Sequence, residues 1–594
     1  MTLSSRRASS AGRPVHEVPA AVALALVGLV VGGGCGAPER PPVPFRPEPV
    51  PYADTLPVEQ PEPRGDEEVA ELIHATIRDA AEPFGLRGEQ EALNIDRYDD
   101  VVNSAWFEHR NDRRPLTPEE VARGPTTGNG PDTSRTLNVV EGKSGGYTPG
   151  FTVEDARGDR YLFKFDAAEY LHLGSAAGVI SNRLFWAAGW HVPEDYIVVF
   201  DPARLEIGED AEVETAAGTR PLTREHIQEV LDHTRPLPDG RYIALASKFL
   251  EGEPLGPFMF HGIWDDDPND YYHHEYRRDL RGMSVVSAWL NHFDMRFANT
   301  LDMYVEPGYV KHHLIDFGST LGSSAGRFSY TPRTGREHRA ELWTILARMV
   351  TLGVYTKGWE FESFEVEHPS IGFIPTDTYD PEGWRPGWPN KAFNFRTDRD
   401  GYWGAKLVAS FSDEQIRAAV GEGHLPPEAA ATLERILIFR RDRTVKYWFG
   451  RVTPVENFRV AEAGGRTATD NEPRADEAAG EGEAPAFTLE FEDLGIKSNA
   501  FAASGTRYVW NFSHAALGRF GQGVAPASEG ARQRLVIGWT PKEGAGRRVA
   551  ERGEEHDRVV VLTLRAAREG AENRAAKVYF VWDGERYRVA ALEH

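Results

Sequence analysis

A single cysteine in 594 residues, Cys35, excludes any disulfide within the chain, so the fold must rest on its core and on what it binds. Positive charge is scarce as well. Lys and Arg number 67 against 91 Asp and Glu, a net charge of −24, and a nucleic-acid backbone would repel such a chain. The apolar run near the N-terminus, Ala20–Val31, is too short to span a bilayer comfortably. Arg6, Arg7 and Arg13 precede it, which is the pattern of a secretory signal.

That run ends in Gly32-Gly33-Gly34-Cys35. A lone cysteine directly after such a run resembles a bacterial lipoprotein processing site, where the cysteine becomes the lipidated N-terminus. An ordinary signal, or a short anchor with an incidental cysteine, is the other reading. The Pro-rich stretch Pro38–Pro63 reads as a stiff, extended spacer. From Glu67 to Arg87, Val69, Leu72, Ile73, Ile77 and Ala80 fall at helical spacing, and a polar, irregular segment continues to Pro131.

At Thr136 the pattern changes. Leu137–Val140, Phe151–Val153 and Tyr161–Phe165 read as strands, and Lys164 sits on the third. Between the first two lies Glu141–Gly150, with Gly142, Ser144, Gly145 and Gly146. Glycines let a backbone approach phosphate closely; a plain hairpin turn is the alternative. A helix at Ser175–Ala188 and a strand at Tyr196–Phe200 follow. An insertion carries a helix near Arg224–His233, capped by Thr223, and a strand at Tyr242–Leu250 runs into a turn. Leu280, Met283, Val286 and Leu290 mark a helical face. The neighbouring His273 and His274 point different ways on a helix start, which disfavours a metal site there.

The chain is organised around Asn291–Gly322. Its polar clusters, His292–Asn299 and Asp316-Phe317-Gly318, flank two strand-like runs split by Glu306-Pro307-Gly308, a turn signal. Asp294, Asn299 and Asp316 therefore converge at one end of a small sheet. Two carboxylates and an amide suit phosphoryl transfer, which needs a base or orienter for the attacking hydroxyl and oxygen ligands for Mg²⁺.

H-x-D-x(4)-N followed by D-F-G resembles the catalytic core of the protein-kinase-like superfamily, in the stripped-down form of HipA-like, CotH-like and secretory-pathway kinases. The resemblance covers Thr136 to Trp448. It implies ATP and Mg²⁺ as cofactors and gives each residue a role. Asp294 would be the catalytic aspartate, and Arg296 stands where many Ser/Thr kinases carry a lysine that contacts the transferring phosphoryl. Lys164 would hold the α- and β-phosphates. Gly142, Ser144, Gly145 and Gly146 would cover them. Backbone groups near Phe249 and Leu250 would meet the adenine, and Asn299 and Asp316 would bind the metal. The pattern is departed from in three places. The helix 175–188 has no acid to pair with Lys164, so Asp166 or Glu169 would substitute. No Ala-Pro-Glu follows Gly322. Phe293 replaces the arginine of phospho-regulated kinases, which argues against control by activation-loop phosphorylation.

Further along, Leu342, Ile345, Leu346, Met349 and Val350 predict a core helix over Glu341–Val350. The aromatic stretch Trp359–Trp403 reads as a cover on the second lobe, or as a substrate platform. Ser412–Gln415 fits a capping box, and Glu428–Tyr447 a long helix. Glu462–Ala484 reads as a linker. Beyond it, strand signals predict a β module with a tight turn at Asp583-Gly584; Trp510, Trp539 and Trp582 there suit core packing, or sugar binding.

The expected fold class is α+β, a two-lobed protein-kinase-like fold with a C-terminal all-β module. The expected organisation is a lipoprotein signal peptide (1–35), a Pro-rich tether (36–66), an N-terminal helical and irregular extension (67–135), an N-lobe (136–255), a C-lobe (256–460), a flexible linker (461–485) and a β-rich module (486–594). The expected function is transfer of the ATP γ-phosphoryl to a hydroxyl of a protein, sugar or lipid. The alternatives are an inactive kinase-like scaffold that binds a nucleotide or a partner at the cell envelope, and an adhesion protein whose working part is the β module. The expected location is extracytoplasmic, held to a bacterial envelope membrane through lipid on Cys35, with no nucleic-acid partner.

Overall fold

Alternating apolar residues build the first sheet. β1 (Leu137–Gly142), β2 (Gly150–Glu154) and β3 (Arg160–Lys164) turn Leu137, Val139, Phe151, Val153, Tyr161 and Phe163 inward. β4 (Asp195–Phe200), β5 (Leu205–Thr215), β6 (Gly218–Pro221) and β7 (Tyr242–Lys248) complete seven strands in the order β4-β7-β3-β2-β1-β5-β6. In this computed structural model the described residues are 53–65, 75–77, 90–128, 130–143, 148–215, 218–323, 333–361, 367–461, 487–514, 518–537, 559–582 and 587–594. The signal region with Cys35, Ser144, Gly145 and Gly146, the linker, Trp539 and the Asp583-Gly584 turn lie outside them, as do the side chain of Trp582 and all of the leading helix except 75–77.

Three helical elements come before and within the sheet's strands, the first with Val121 in the helical core. α1 (Pro118–Arg123) starts on a Thr117–Glu120 capping box, α2 (Leu173–Ala188) is buried along almost its whole length, and α3 (Arg224–Asp232) packs Ile227, Val230 and Leu231 into the sheet's core. Asp166 accepts from the backbone N–H of Gly174 and Ser175 at 2.7 and 2.9 Å and from the Ser175 hydroxyl. It thus satisfies the open amides of α2. The helix stops at Gly189, with φ +130°, where a Cβ would lie 2.2 Å from the Phe107 ring.

The second layer is helical. α4 (Arg278–Trp289), α6 (Asp398–Ala409), α7 (Asp413–Gly421) and α8 (Pro427–Arg451) pack around Met283, Trp289, Trp403, Leu433 and Trp448. α7 opens on the Ser412–Gln415 capping box read from the sequence. Against this layer stands a three-stranded sheet of β8 (Glu253–Gly256), β9 (Thr300–Val305) and β10 (Tyr309–Leu314), ordered β10-β9-β8.

Two expectations change here. Residues 53–65 lie against the edge of that sheet. Val58 N–H donates to Gly308 O, Tyr304 hydroxyl donates to Val58 O, and Arg64 pairs with buried Asp302 at 2.9 Å. Prolines lack an N–H but keep the chain extended, so the residues between Pro57, Pro61 and Pro63 supply the donors. The second concerns α5 (Leu342–Val350), predicted as a core helix. Only Thr344 of it is buried, and Met349 and Val350 are 67% and 82% exposed. Periodicity reports that an apolar face exists; it does not supply a partner for that face.

His274 is buried and bonded to Asp270 and to the Met259 carbonyl. Among the described residues no three His, Cys, Asp or Glu side chains converge as a metal site.

The C-terminal part is built on antiparallel strands, as expected, with a short helix at Leu494–Lys497. β11 (Val455–Ala461), β12 (Phe487–Asp493) and β15 (Arg532–Ile537) form one sheet. β13 (Arg507–His514), β14 (Gly518–Pro526), β16 (Val559–Ala567), β17 (Ala576–Trp582) and β18 (Tyr587–Glu593) form the other, ordered β14-β13-β16-β17-β18. Leu489, Phe512, Leu562, Leu564, Val578 and Phe580 fill the space between, and Trp510 packs edge-on against Phe512. The last residue, His594, donates its backbone N–H to Asp99 at 3.0 Å. Asp99 also holds Arg278 of α4 and Arg399 of α6, which ties the module to the helical layer.

Candidate active site

The β9–β10 register sets the two polar clusters abreast. Thr300 pairs with Leu314, and Ile315 N–H donates to Asn299 O at 3.0 Å. The next residue, Asp316, has φ +57°, a left-handed conformation that an aspartate tolerates better than most residues. There Lys164 of β3 reaches it, Nζ to Oδ1 at 2.9 Å. A lysine of the first sheet thus meets a carboxylate of the second. Asp316 is nearly half exposed at its side chain. Withdrawal from water opposes its charge, but contact with Lys164 and the nearby Lys143 outweigh this and hold the carboxyl below its usual range. Lys143, just after β1, is itself pulled down by burial and by the charge of Lys164.

On the other side of the hairpin, α4 ends and Asn291 turns the chain with φ +50°. Asn299 Nδ2 donates to the Asp294 carbonyl at 2.7 Å and to its Oδ2 at 3.2 Å. Arg296 Nε lies 3.2 Å from Asp294 Oδ1. Burial pushes Asp294 up to about 6; Arg339 and Asn299 oppose the rise, and the charge of Asp316 adds to it. His292 is fully buried, and burial pushes it down to about 3, so it is neutral. Its ring stands 5.6 Å from Phe317 and 5.7 Å from Phe185 of α2, and Phe185 and Phe317 are 5.1 Å apart. These three rings join α2, the Asp294 loop and the Asp316 turn in one apolar contact.

The loop is also locked from behind. Arg440 of α8 donates to the carbonyls of Ala288, Trp289 and Pro375, with its guanidinium 3.6 Å over the Tyr379 ring. Burial pulls Arg440 down to about 10, still cationic, and it satisfies carbonyls left open at the C-terminus of α4. Trp384 Nε1 donates to Asn291 Oδ1 at 2.9 Å, and Gly387 N–H donates to Phe293 O. Tyr379, Trp384, Phe393 and Trp403 are buried, which agrees with the cover reading of the aromatic stretch. Beside Asn291 a cavity of about 250 Å³ is lined by Arg336, Trp359, Tyr379, Asp380, Trp384 and Arg440. A larger one of about 460 Å³, between Ile371–Asp377 and α8, contains none of the groups named above.

Several expected roles shift. Neither Asp166 nor Glu169 takes the place of the missing helix acid. Asp166 is spent on the α2 cap and Glu169 is exposed, so Lys164 pairs with Asp316 instead. An acid that the sequence did not single out, Asp195 at the start of β4, is buried close enough to Lys164 to feel its charge. Burial pushes it up to about 6, with Ser247 and Lys164 pulling the other way. Asn182 of α2 donates to its Oδ2 at 3.3 Å. A search confined to the helix after Lys164 stops before reaching it. Gly142 is buried, and a Cβ there would lie 2.7 Å from Val213, so β5 packing accounts for that glycine. At the expected adenine edge the Phe249 side chain is half exposed, but its N–H already donates to Arg160 O, and the Lys248 N–H to Glu194 O. Leu250 follows, half-buried. Lys143 and Arg339 are the other residues that sequence reasoning missed. Arg339 lies 45 positions from Asp294 with no motif around it, and its guanidinium sits 5.1 Å from the Phe293 ring centre.

The donor set fits Mg²⁺ with a nucleotide. Asn299 spends its Nδ2 on Asp294, which leaves Oδ1 as the amide's acceptor, and Asp316 offers a half-exposed carboxylate. Mg²⁺ is ordinarily held by one or two protein oxygens together with water and phosphate, so a set this small suffices.

No family model and no curated protein matches the chain. Among solved structures, the chain is similar to the Helicobacter pylori proinflammatory kinase CtkA at 12% identity and TM-score 0.28, over 54% of this chain and 98% of that one. It is similar to the Golgi casein kinase with Mn/ADP bound at 10% identity and TM-score 0.28, over 53% and 72%. A further structure of the Golgi casein kinase matches at 10% identity and TM-score 0.28, over 68% and 96%. Superpositions this loose add nothing to the geometry of the site.

Proposed function

We propose that the chain is an atypical kinase-like phosphotransferase that moves the γ-phosphoryl of ATP to a hydroxyl acceptor. The observation that carries this reading is the Lys164–Asp316 pair, formed between two sheets, with Asn299 fixed on Asp294 one hairpin register away. Lys164 would bind the α- and β-phosphates, with Lys143 adding positive charge beside it. Asp316 and Asn299 would hold Mg²⁺, which supplies charge neutralisation on the phosphates. Asp294, oriented by Asn299 and Arg296, would accept or orient the proton of the acceptor hydroxyl. Arg296 would face the transferring phosphoryl. Neutral, buried His292 would position the loop through Phe317 and move no proton.

The test is ADP release from Mg²⁺-ATP by the full chain, with and without a membrane extract as a source of acceptor, alongside Asp294→Asn. Turnover above that variant is the expected result. Equal, background turnover with nucleotide binding confirmed would leave the second reading, an inactive scaffold that binds nucleotide. One observation favours that second reading: α2 carries no acid for Lys164, a pair that protein kinases need in place for activity. We further propose that Cys35 is lipidated and holds the protein to a bacterial envelope membrane from outside the cytoplasm.

A further inference from the structure

One buried carboxylate near the site is only half used. Asp195, at the start of β4, is 2% exposed. Its Oδ2 accepts from Asn182 of α2 at 3.3 Å, while its Oδ1 accepts no hydrogen bond among the described residues. A buried carboxylate oxygen without a donor is costly, and a neutral side chain could hold Asn182 without that cost.

The strand registers say which way Asp195 faces. Between β4 and β7, Asp195 lies opposite Ser247 and Ile197 opposite Leu245; between β3 and β7, Lys164 lies opposite Leu245. Side chains alternate along a strand, so Asp195, Ser247, Leu245 and Lys164 share one face of the sheet. It is the face away from Phe163, Val198 and Ala246, which fill the core on the other side. α2 covers it: a Cβ on Gly178 would lie 3.0 Å from the Leu245 side chain and 3.9 Å from the Gly318 backbone N. Lys164 therefore stands under one helix with a carboxylate on either hand. Asp316 holds it, at 2.9 Å. Burial dominates the pKa of Asp195, and the Ser247 hydroxyl and the charges of Lys164, Arg183 and Asp316 act on it as well.

We propose that Asp195 is the second station of Lys164: when Asp316 turns its carboxylate to Mg²⁺ with bound nucleotide, Lys164 leaves it for Asp195 Oδ1, which aims the ammonium at the phosphates. An ammonium and a dication on one carboxylate repel each other, so Asp316 cannot serve both well. Lys164 has donors enough to keep Asp195 and a phosphate oxygen together. Asp195 is thus a positioning residue that acts through Lys164, and it supplies from β4 the acid that α2 lacks. The proposal rests on the phosphotransferase reading for the identity of the ligand.

The experiment measures binding, not turnover. Affinity for ATP in the presence of a chelator, and for Mg²⁺-ATP, is measured by calorimetry on the full chain as wild type, Asp195→Asn, Lys164→Ala and the double variant. Asp195→Asn should leave metal-free affinity unchanged and lower Mg²⁺-ATP affinity about tenfold, the scale of one hydrogen bond to a charged group. In the Lys164→Ala background it should cause no further loss, since the residue it acts through is gone. Asp195→Ser, smaller and also uncharged, is the second variant and should give the same pattern at an unchanged melting temperature. Equal Mg²⁺-ATP affinity in wild type and Asp195→Asn would overturn the proposal and leave the phosphotransferase reading intact. So would a loss of the same size with and without metal, or with and without Lys164, which is what a purely structural role predicts. A wild type that binds no nucleotide would overturn the phosphotransferase reading and this proposal with it.

Discussion

At the residue scale, the proposed function separates groups that would touch the nucleotide before reaction from groups that would matter only during it. On that proposal Lys164 belongs to the first kind. Lys164→Ala should weaken Mg²⁺-ATP affinity by about tenfold or more, since a hydrogen bond to a charged group contributes about 1.5–3 kcal/mol. Asp294 belongs to the second. Asp294→Asn should keep nucleotide affinity, measured by calorimetry, and lower turnover about 100-fold or more, the usual scale for removing a general base. Asp316→Ala should abolish the Mg²⁺ dependence of ATP binding. Unchanged Mg²⁺-dependent affinity in that folded variant would remove the metal assignment. The 2.9 Å Lys164–Asp316 pair adds a consequence: Asp316→Ala also leaves Lys164 without its carboxylate, so metal-free nucleotide affinity should rise or hold rather than fall.

At the scale of elements, the Asp294 loop depends on what α8 does at the end of α4. Arg440 closes the carbonyls of Ala288 and Trp289, and Trp289 Nε1 returns a bond to Leu437 O at 2.9 Å. Arg440→Ala would leave buried carbonyls unpaired and a cavity beneath Tyr379. A loss of about 3 kcal/mol or more is expected by denaturant unfolding, read as a lower midpoint at unchanged slope. In the sequence Arg440 is one of three arginines, with Arg441 and Arg443, toward the end of the Glu428–Tyr447 helix. Its targets lie on another helix, 151 and 152 residues away, and no local pattern encodes that. The β9–β10 hairpin is the opposite case. Turn chemistry at Glu306-Pro307-Gly308 and alternating side chains fix its register, so the convergence of Asp294, Asn299 and Asp316 was legible from local sequence alone.

For the whole molecule, Asp99 is where the N-terminal extension, the helical layer and the C-terminal module meet. Burial opposes its charge, but Arg278, Arg399 and His594 outweigh this and hold it well below the usual carboxylate range. The folded protein therefore takes up this proton only at a pH lower than the unfolded chain does. The stability Asp99 contributes is full above about pH 4 and is lost as pH falls through the folded-state value. Melting temperature should drop on acidification below that point, and Asp99→Asn should flatten the dependence. Asp99→Ala takes one carboxylate from each of two buried guanidinium groups, which keep Asp400 (Arg278) and Glu91 (Arg399), with an expected cost of about 3 kcal/mol. Separately, on the lipidation proposal Cys35→Ser should move the protein from the membrane to the soluble fraction, since stable anchoring takes more than one acyl chain; a variant still in the membrane fraction would point to the uncleaved Ala20–Val31 run instead.

By itself the sequence determined what is local. The strand periods of both sheets, the Ser412 cap, the hairpin and the antiparallel C-terminal module follow from side-chain alternation, capping chemistry and turn residues acting over a few positions. It also placed Lys164, Asp294, Asn299 and Asp316 in one site, because their spacing resembles a known core. Tertiary structure alone decided the partners. Asp166 became a helix cap, Asp195 came to lie near Lys164, and Gly142 answered to Val213 on a distant strand. α5 turned Met349 and Val350 outward and buried Thr344, the reverse of what its apolar period predicts. Contacts between residues far apart in sequence are set by how layers stack and by which buried charges must find counter-charges, and no window of neighbouring residues contains that information.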